Sequence, residues 1–432
     1  MLRKLVVDIE PLKSSASFRR LWIGGALSSV GSRMTSFAVI LQVYQLTGSS
    51  VAVGAVGLAT VVPMLIVGLI GGSLADALDR RKLVLATTTG MTGTAVLFAV
   101  LAWAGNQQVW PLYALTALQS LLLAVDAPTR RTFVPRLLSE QLLPAGLALQ
   151  MLAFHTSVMT GPILAGMLAA AGGVKVIYLI DALTFLVSLY AAFRLPTMRV
   201  EEQKTKPGIK SIWEGLRYIS RNRIVGGAML TDLSTTALAM PFAILPALNA
   251  LNFGGSPRTL GLLNAAPGVG AVLAMVLSGA VGRTRRKGAW LLGTGMLWGG
   301  AIACLGLTDQ LWLALGLLGI AGAADATIVV LRGAIVQSSI PDQFRGRATS
   351  VDFVIGAGGP HLGNFRGGVV ASVATPSISA FTGGLSCVVA LAVVALYFPA
   401  LRRFGSNADH PGPDLGGDKQ NSQDDVSVSD KN

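Results

Sequence analysis

Long apolar stretches dominate the chain, interrupted at short intervals by polar and basic clusters. A stretch of about 20 apolar residues, coiled as a helix, crosses the hydrocarbon core of a bilayer. On that criterion the pattern predicts helices over 19–45, 51–76, 83–104, 109–131, 145–171, 174–194, 223–250, 258–282, 288–307, 310–333, 347–371 and 376–399. The expected fold class is all-α integral membrane, with twelve transmembrane helices. The first apolar run is longer than the core of a cleaved leader and more of the same follows it, so it reads as a retained span. Trp22, Trp103, Trp110, Trp290 and Trp312 fall near helix ends, where aromatic rings settle at the lipid–water boundary.

Composition agrees with lipid as the solvent. The 432 residues are 52% hydrophobic and 13% charged, whereas a soluble chain carries roughly 25% charge. A net charge of +13 would suit a nucleic-acid partner if the cations formed one face. They fall instead between the apolar runs. With both termini in the cytoplasm, 30 of the 34 Lys and Arg lie in cytoplasmic stretches, as the positive-inside rule requires of an even number of spans in a bacterial inner membrane. Lys175 and Arg258 lie outside, and Arg33 and Arg366 lie within helices.

The expected organisation is a cytoplasmic N-terminus (1–18), a six-helix bundle (19–194), a cytoplasmic linker (195–222), a second six-helix bundle (223–400) and a disordered cytoplasmic tail (401–432). In the linker Ile209, Ile212, Trp213, Leu216 and Ile219 share one helical face, which predicts a short amphipathic helix on the membrane surface. After Gly405 the chain has six Asp, two Lys and no apolar run, a composition that does not fold.

Internal similarity supports the two halves. Gly161-Pro162-Ile163-Leu164-Ala165-Gly166 is echoed by Gly359-Pro360-His361-Leu362-Gly363, and Ala124-Val125-Asp126-Ala127 by Ala324-Asp325-Ala326. The run from Gly72 to Lys82 is echoed by Gly279 to Lys287. Three echoes in order at nearly one offset imply bundles related by a pseudo-twofold axis along the membrane normal.

Chemistry narrows the class further. Cys304 and Cys387 both sit in apolar runs, and the three histidines have no ligand spacing, so neither a disulfide framework nor a metal site is expected. There is no G-x-x-x-x-G-K-[ST] sequence to bind a nucleotide, and no paired acids or Ser/His set for hydrolysis. The chain reads as neither an enzyme nor a cofactor binder.

The loop Gly72-Ser73-Leu74-Ala75-Asp76-Ala77-Leu78-Asp79-Arg80-Arg81-Lys82 resembles the major facilitator superfamily signature G-x-x-x-D-R-x-G-R-R, matched at Gly72, Asp76, Arg80 and Arg81. Ala77 and Asp79 replace its first basic residue and second glycine, which weakens the charge lock that the resemblance implies. Gly161-Pro162 and Gly166 resemble the antiporter signature G-P-x-x-G-G, with Ala165 at one glycine. Small residues at this spacing also serve plain helix packing. Leu46-Thr47-Gly48-Ser49-Ser50, Asp126-Ala127-Pro128, Met240-Pro241 and Pro341-Asp342-Gln343 are similar to segments of the drug and siderophore exporter branch, which includes enterobactin exporters. The resemblance implies a monomeric proton-coupled exporter of small amphiphilic molecules, with lipids, protons and a small-molecule substrate as its partners. A metabolite importer and a non-transporting scaffold are the alternatives.

In that superfamily helices 1, 4, 7 and 10 line the cavity, and most intramembrane charges here fall on those helices. Each costs about 2.5–3.5 kcal/mol near a bilayer centre, so each needs a partner, water or a task. Arg33 and Asp232 stand 199 residues apart on polar stripes of helices 1 and 7, and are expected to approach as an ion pair across the cavity, with Asp232 a proton-carrier candidate. Asp126, with Gln119 above it, and Asp325 are candidates for an inner gate or coupling site; Asp126 has Arg130 one turn away as an alternative partner, and Asp325 has Arg332 or Arg347. Asp352 and Arg366 read as the ends of helix 11, and His361 as a hydrogen-bonded packing residue. The cation at Arg33 would suit an anionic siderophore.

Overall fold

A computed structural model of the chain describes residues 8–77, 79–196, 217, 219, 222–281, 284, 286–340 and 342–405, with the backbone alone for 68–77, 276–281, 342–350 and 353. The expected linker face apart from Ile219, and the tail beyond Gly405, lie outside the described residues. Twelve long helices follow in order: α1 Ala16–Thr47, α2 Ser50–Ala77, α3 Arg80–Trp103, α4 Trp110–Arg131, α5 Leu143–Gly172, α6 Val174–Phe193, α7 Arg223–Ala239, α8 Pro257–Val281, α9 Lys287–Leu305, α10 Leu311–Ser339, α11 Asp342–Val373 and α12 Pro376–Tyr397.

The helix ends have local causes. Ser15 accepts from the Phe18 N–H and starts α1, and Gly48 at φ 63° ends it in a left-handed turn that glycine adopts without strain. Asp79 accepts from the N–H groups of Arg81 and Lys82 and starts α3. The residue that replaces the glycine of the loop signature is therefore a helix cap.

Three expected boundaries change. A single helix over 223–250 is instead α7, a break at Met240-Pro241 and a short helix Leu245–Asn252. Pro241 has no N–H to donate and forces Met240 into an extended backbone (ψ 120°). Asn364 on α11 takes up a freed donor, accepting from the Ala243 N–H at 3.1 Å, which keeps the broken backbone satisfied inside the membrane. Asp352 and Arg366 do not end α11, which extends beyond both of them. Arg332, one of the 30 cations counted above as cytoplasmic, lies within α10 and is 8% exposed.

Among the described residues eight helices are long and apolar enough to cross a membrane by length and composition alone. Of these α5 and α6 pack on α1, which carries Arg33, and α9, α10 and α12 pack on α7, which carries Asp232. Large apolar side chains such as Val100, Leu183, Leu273 and Val389 are exposed around the perimeter, as are Trp103, Trp110, Trp290 and Trp312. Water would not tolerate such a surface, and lipid does.

The pseudo-twofold relation is visible in which helices touch. In the first bundle α1 packs on α5 and α6, α3 on α6 and α4, and α2 on α4; in the second α7 packs on α11 and α12, α9 on α12 and α10, and α8 on α10. Contacts between bundles are also paired, α5 with α8 and α2 with α11. Both approaches are close because both carry glycine. A methyl group on Gly166 would lie 2.7 Å from the Pro257 carbonyl and 3.0 Å from Gly261 Cα, and one on Gly54 would lie 2.9 Å from Phe365 Cα. Among the described residues these approaches run from mid-membrane, at Gly268 and Gly358, to the face remote from the termini, at Gly166 and Gly368. The two halves meet tightly on that face.

A side chain at Gly166 should force the seal open, since overpacking of this kind costs about 1–3 kcal/mol. Spin labels on the exposed positions Ala170 and Leu262, in a chain with both cysteines replaced by serine, should report a longer distance in Gly166→Val. Gly25→Ala, which meets nothing within 4 Å, should leave it unchanged.

Candidate functional site: the central charges

The close glycine of each G-P pair packs onto the cavity helix beside it. A methyl on Gly161 would meet Arg33 Cβ at 2.5 Å and the Val30 carbonyl at 3.4 Å, whereas one on Gly359 would meet the Thr236 side chain and, at 3.9 Å, Leu233. Val30 and Arg33 therefore correspond to Leu233 and Thr236. The sequence offset had matched Arg33 with Asp232, which stands one helical turn away from the true counterpart. That turn separates the two charges in depth.

The expected Arg33–Asp232 pair is accordingly not formed. Asp232 on α7 is 3% exposed, and its Oδ1 lies 3.5 Å from Nε of Arg332 on α10. Arg332 also pairs with Asp352 on α11 through Nη1. Asp325 sits two turns before Arg332 on the same face of α10. Two carboxyl groups from α7 and α11 thus share one guanidinium, with a third on the helix that carries it. Asp232 Oδ2 is buried without a hydrogen-bond partner, while the Asp352 side chain is 35% exposed and gives the cluster an edge toward water.

Asp126 has a different setting. Arg130 pairs with its Oδ2, and Thr87 donates to its Oδ1 at 2.7 Å. Arg130 also donates to Thr88 at 2.7 Å and Ser188 at 3.2 Å. This network ties α3, α4 and α6 together with acid and base in balance. Gln119 accepts from Thr94 at 3.1 Å and is turned toward α3. Arg81 donates to the Phe193 carbonyl at 2.8 Å, holding the end of α6, while Arg80 beside it is half-buried. Gly72 and Asp76 lie where only the backbone is described.

The residue missed from sequence is Asp181; Arg332 was named only as a partner for Asp325 and meets Asp232 and Asp352 instead. Asp181 on α6 is fully buried and accepts from Thr35 of α1 at 2.6 Å and Thr184 at 3.4 Å. Gly31 makes room for it, since a methyl there would overlap the carboxylate. The available signal was one acid in an otherwise apolar helix. Arg33 takes no such partner: it lies at the midpoint of α1, is exposed and has its guanidinium 5.4 Å from the Phe154 ring.

Two six-helix bundles, joined tightly on one face around a charged centre, define a secondary transporter of the major facilitator superfamily. The chain belongs to the transmembrane secretion effector family of that superfamily, which it matches over residues 8–422. Its relatives include the enterobactin exporters EntS of Citrobacter koseri and of Escherichia coli O139:H28, each 27% identical over 92% of this chain and 96% of that protein. Solved structures share the fold. The nucleoside transporter NupG has 12% identity over 89% of this chain and 98% of its own, with a TM-score of 0.72. A bacterial homologue of ferroportin, in an inward-facing state, has 14% identity over 90% and 98%, with a TM-score of 0.68. The chain is a multi-pass membrane transporter and not an enzyme.

Removing Arg332 should leave Asp232 and Asp352 uncompensated, a loss of about 3–5 kcal/mol for a broken buried pair. Arg332→Gln should lower the thermal midpoint in detergent well below that of Asp232→Asn. The double variant should lose less than the sum, and strict additivity would show that the pair is not coupled.

Proposed function

We propose that this protein is a proton-coupled exporter of small amphiphilic molecules in a bacterial inner membrane, with its termini in the cytoplasm and its tightly joined face outside. The observation that carries the reading is the meeting of Asp232 and Asp352 on Arg332, with Asp325 two turns along the same face of α10. Among the described side chains the acids here outnumber the cation, and a proton on Asp232 or Asp325 relieves negative charge inside the membrane. Asp232, with an unpartnered Oδ2, is the acid we assign as the carrier. Asp325 is its partner in the exchange, and Asp352 links the pair to water.

Alternating access follows from the packing. The bundles meet through glycines and small residues, so they can rock apart without breaking interlocked side chains. Facing the cytoplasm, the cavity takes substrate from that side. Opening outward exposes the cluster to external protons; return inward releases the proton and resets the cavity. The relatives named as enterobactin exporters favour export and make a siderophore a reasonable cargo. On this reading Asp126, Gln119 and Gly161 brace the first bundle, and Pro162 and Gly166 set the contacts across which it moves.

Inverted vesicles carrying the protein should accumulate enterobactin, or ethidium if the cargo is a drug, when acidified inside. Asp232→Asn and Asp325→Asn should each reduce gradient-driven accumulation about tenfold or more, while keeping exchange of labelled for unlabelled substrate without a gradient. Unchanged accumulation in both variants would overturn coupling through this cluster.

A further inference from the structure

Arg33 is an intramembrane charge that no described residue neutralises. Its guanidinium makes no ion pair and no hydrogen bond to any described residue; the Phe154 ring is its one charge-stabilising contact. On the neighbouring helices α5 and α6 the one acid is Asp181. That carboxylate is bound by Thr35, two residues along α1 and so on its other side. The side chain is nevertheless exposed, in the middle of a 32-residue helix. At 1.5 Å per residue it is roughly 20 Å from either end of α1, too far to snorkel to a membrane surface. A bare guanidinium does not face lipid tails at that depth. Arg33 therefore looks into the water-filled cavity between the bundles, with its donor fork free.

The surroundings add a second element. Phe154 on α5 is 49% exposed, one face turned to Arg33, and His155 meets it edge to face at 5.3 Å. Ser29 and Ser32 are half-exposed and Ser36 exposed along the same stretch of α1. Gly161 keeps α5 close enough for the ring and the cation to stand side by side. A free planar fork of donors next to an open aromatic face suits one ligand chemistry, an acidic group carried on an aromatic ring. The acid takes charge-assisted hydrogen bonds from the fork, and the ring packs on Phe154 or on the guanidinium plane.

We propose that Arg33 and Phe154 form the substrate subsite of the first bundle and that it selects aromatic anions. This narrows the cargo of the exporter proposed above and rests on that reading. It also divides the labour: the first bundle holds the substrate's negative end while the acid cluster of the second bundle handles protons, so like charges never compete for one site.

Equilibrium dialysis of labelled 2-naphthoate against the full chain in detergent tests the subsite without any gradient, so a failure of proton coupling leaves the result readable. The wild type should bind 2-naphthoate about tenfold more tightly than 2-naphthylmethylammonium, and several-fold more tightly than saturated decahydro-2-naphthoate. Arg33→Gln should weaken 2-naphthoate about tenfold, Arg33→Lys should restore part of the loss, and Phe154→Leu should abolish the preference for the aromatic ring while sparing the saturated acid. Should Arg33→Gln fail to fold, Phe154→Leu and Arg33→Lys still report. The proposal is overturned if the wild type binds no 2-naphthoate, if the ammonium binds as well as the carboxylate, or if all folded variants match the wild type.

Discussion

Inside a bilayer a charged side chain must find an opposite charge, hydrogen-bonding groups or water, and this constraint arranges the centre of the molecule. The ionisable groups meet it in four ways. Asp126 and Arg130 neutralise each other within a network of hydroxyl groups. Asp181 has no cation and is held by two threonines in a space that Gly31 leaves open. Asp232 and Asp352 share Arg332, with Asp325 on the same helix, and Arg33 is exposed against the Phe154 ring with no ion pair to a described residue. The first two arrangements are complete in themselves and brace their bundle. The last two are incomplete, and incomplete sites are where a proton or a ligand has something to contribute.

That division makes the bundles chemically unlike despite their common fold. The main pairings of helices repeat, down to a glycine of α5 on α1 and a glycine of α11 on α7, although α7 also packs on α9 and α10 where, among the described residues, α1 packs on neither α3 nor α4. The charges do not repeat. Position 33 carries a cation, while its counterpart Thr236 is neutral and the acid of α7 stands one turn below. A positive site thus faces the cavity from one half and an acidic cluster lies in the other, so movement of the halves changes the field felt by anything between them.

The contacts that hold the halves together are of a kind that can be undone. Small residues bring backbones within van der Waals distance at Gly166 and Gly261, and at Gly54 and Phe365. In lipid there is no hydrophobic gain from such contact, only dispersion and complementary shape. The fold therefore combines rigid bundles, cross-braced by buried polar ties, with a separable interface between them.

The amino-acid sequence by itself determined the twelve helices, the two halves and the presence of costly charges at Arg33, Asp232 and Asp325, because hydrocarbon thickness writes itself into apolar run length and a charge within such a run is conspicuous. It also carried the break in α7, since Pro241 cannot continue a helix, though that proline was read as part of a longer span. Only the tertiary structure decided which charges meet. Partnership depends on the rotation and depth of each helix, and one turn of slippage, too small to appear in a repeat offset near 200 residues, moved Asp232 away from Arg33 and left it beside Arg332. For the same reason Arg332 was matched with Asp325 rather than Asp232, and Asp181 was not singled out: burial is a property of neighbours, and the neighbours come from distant parts of the chain.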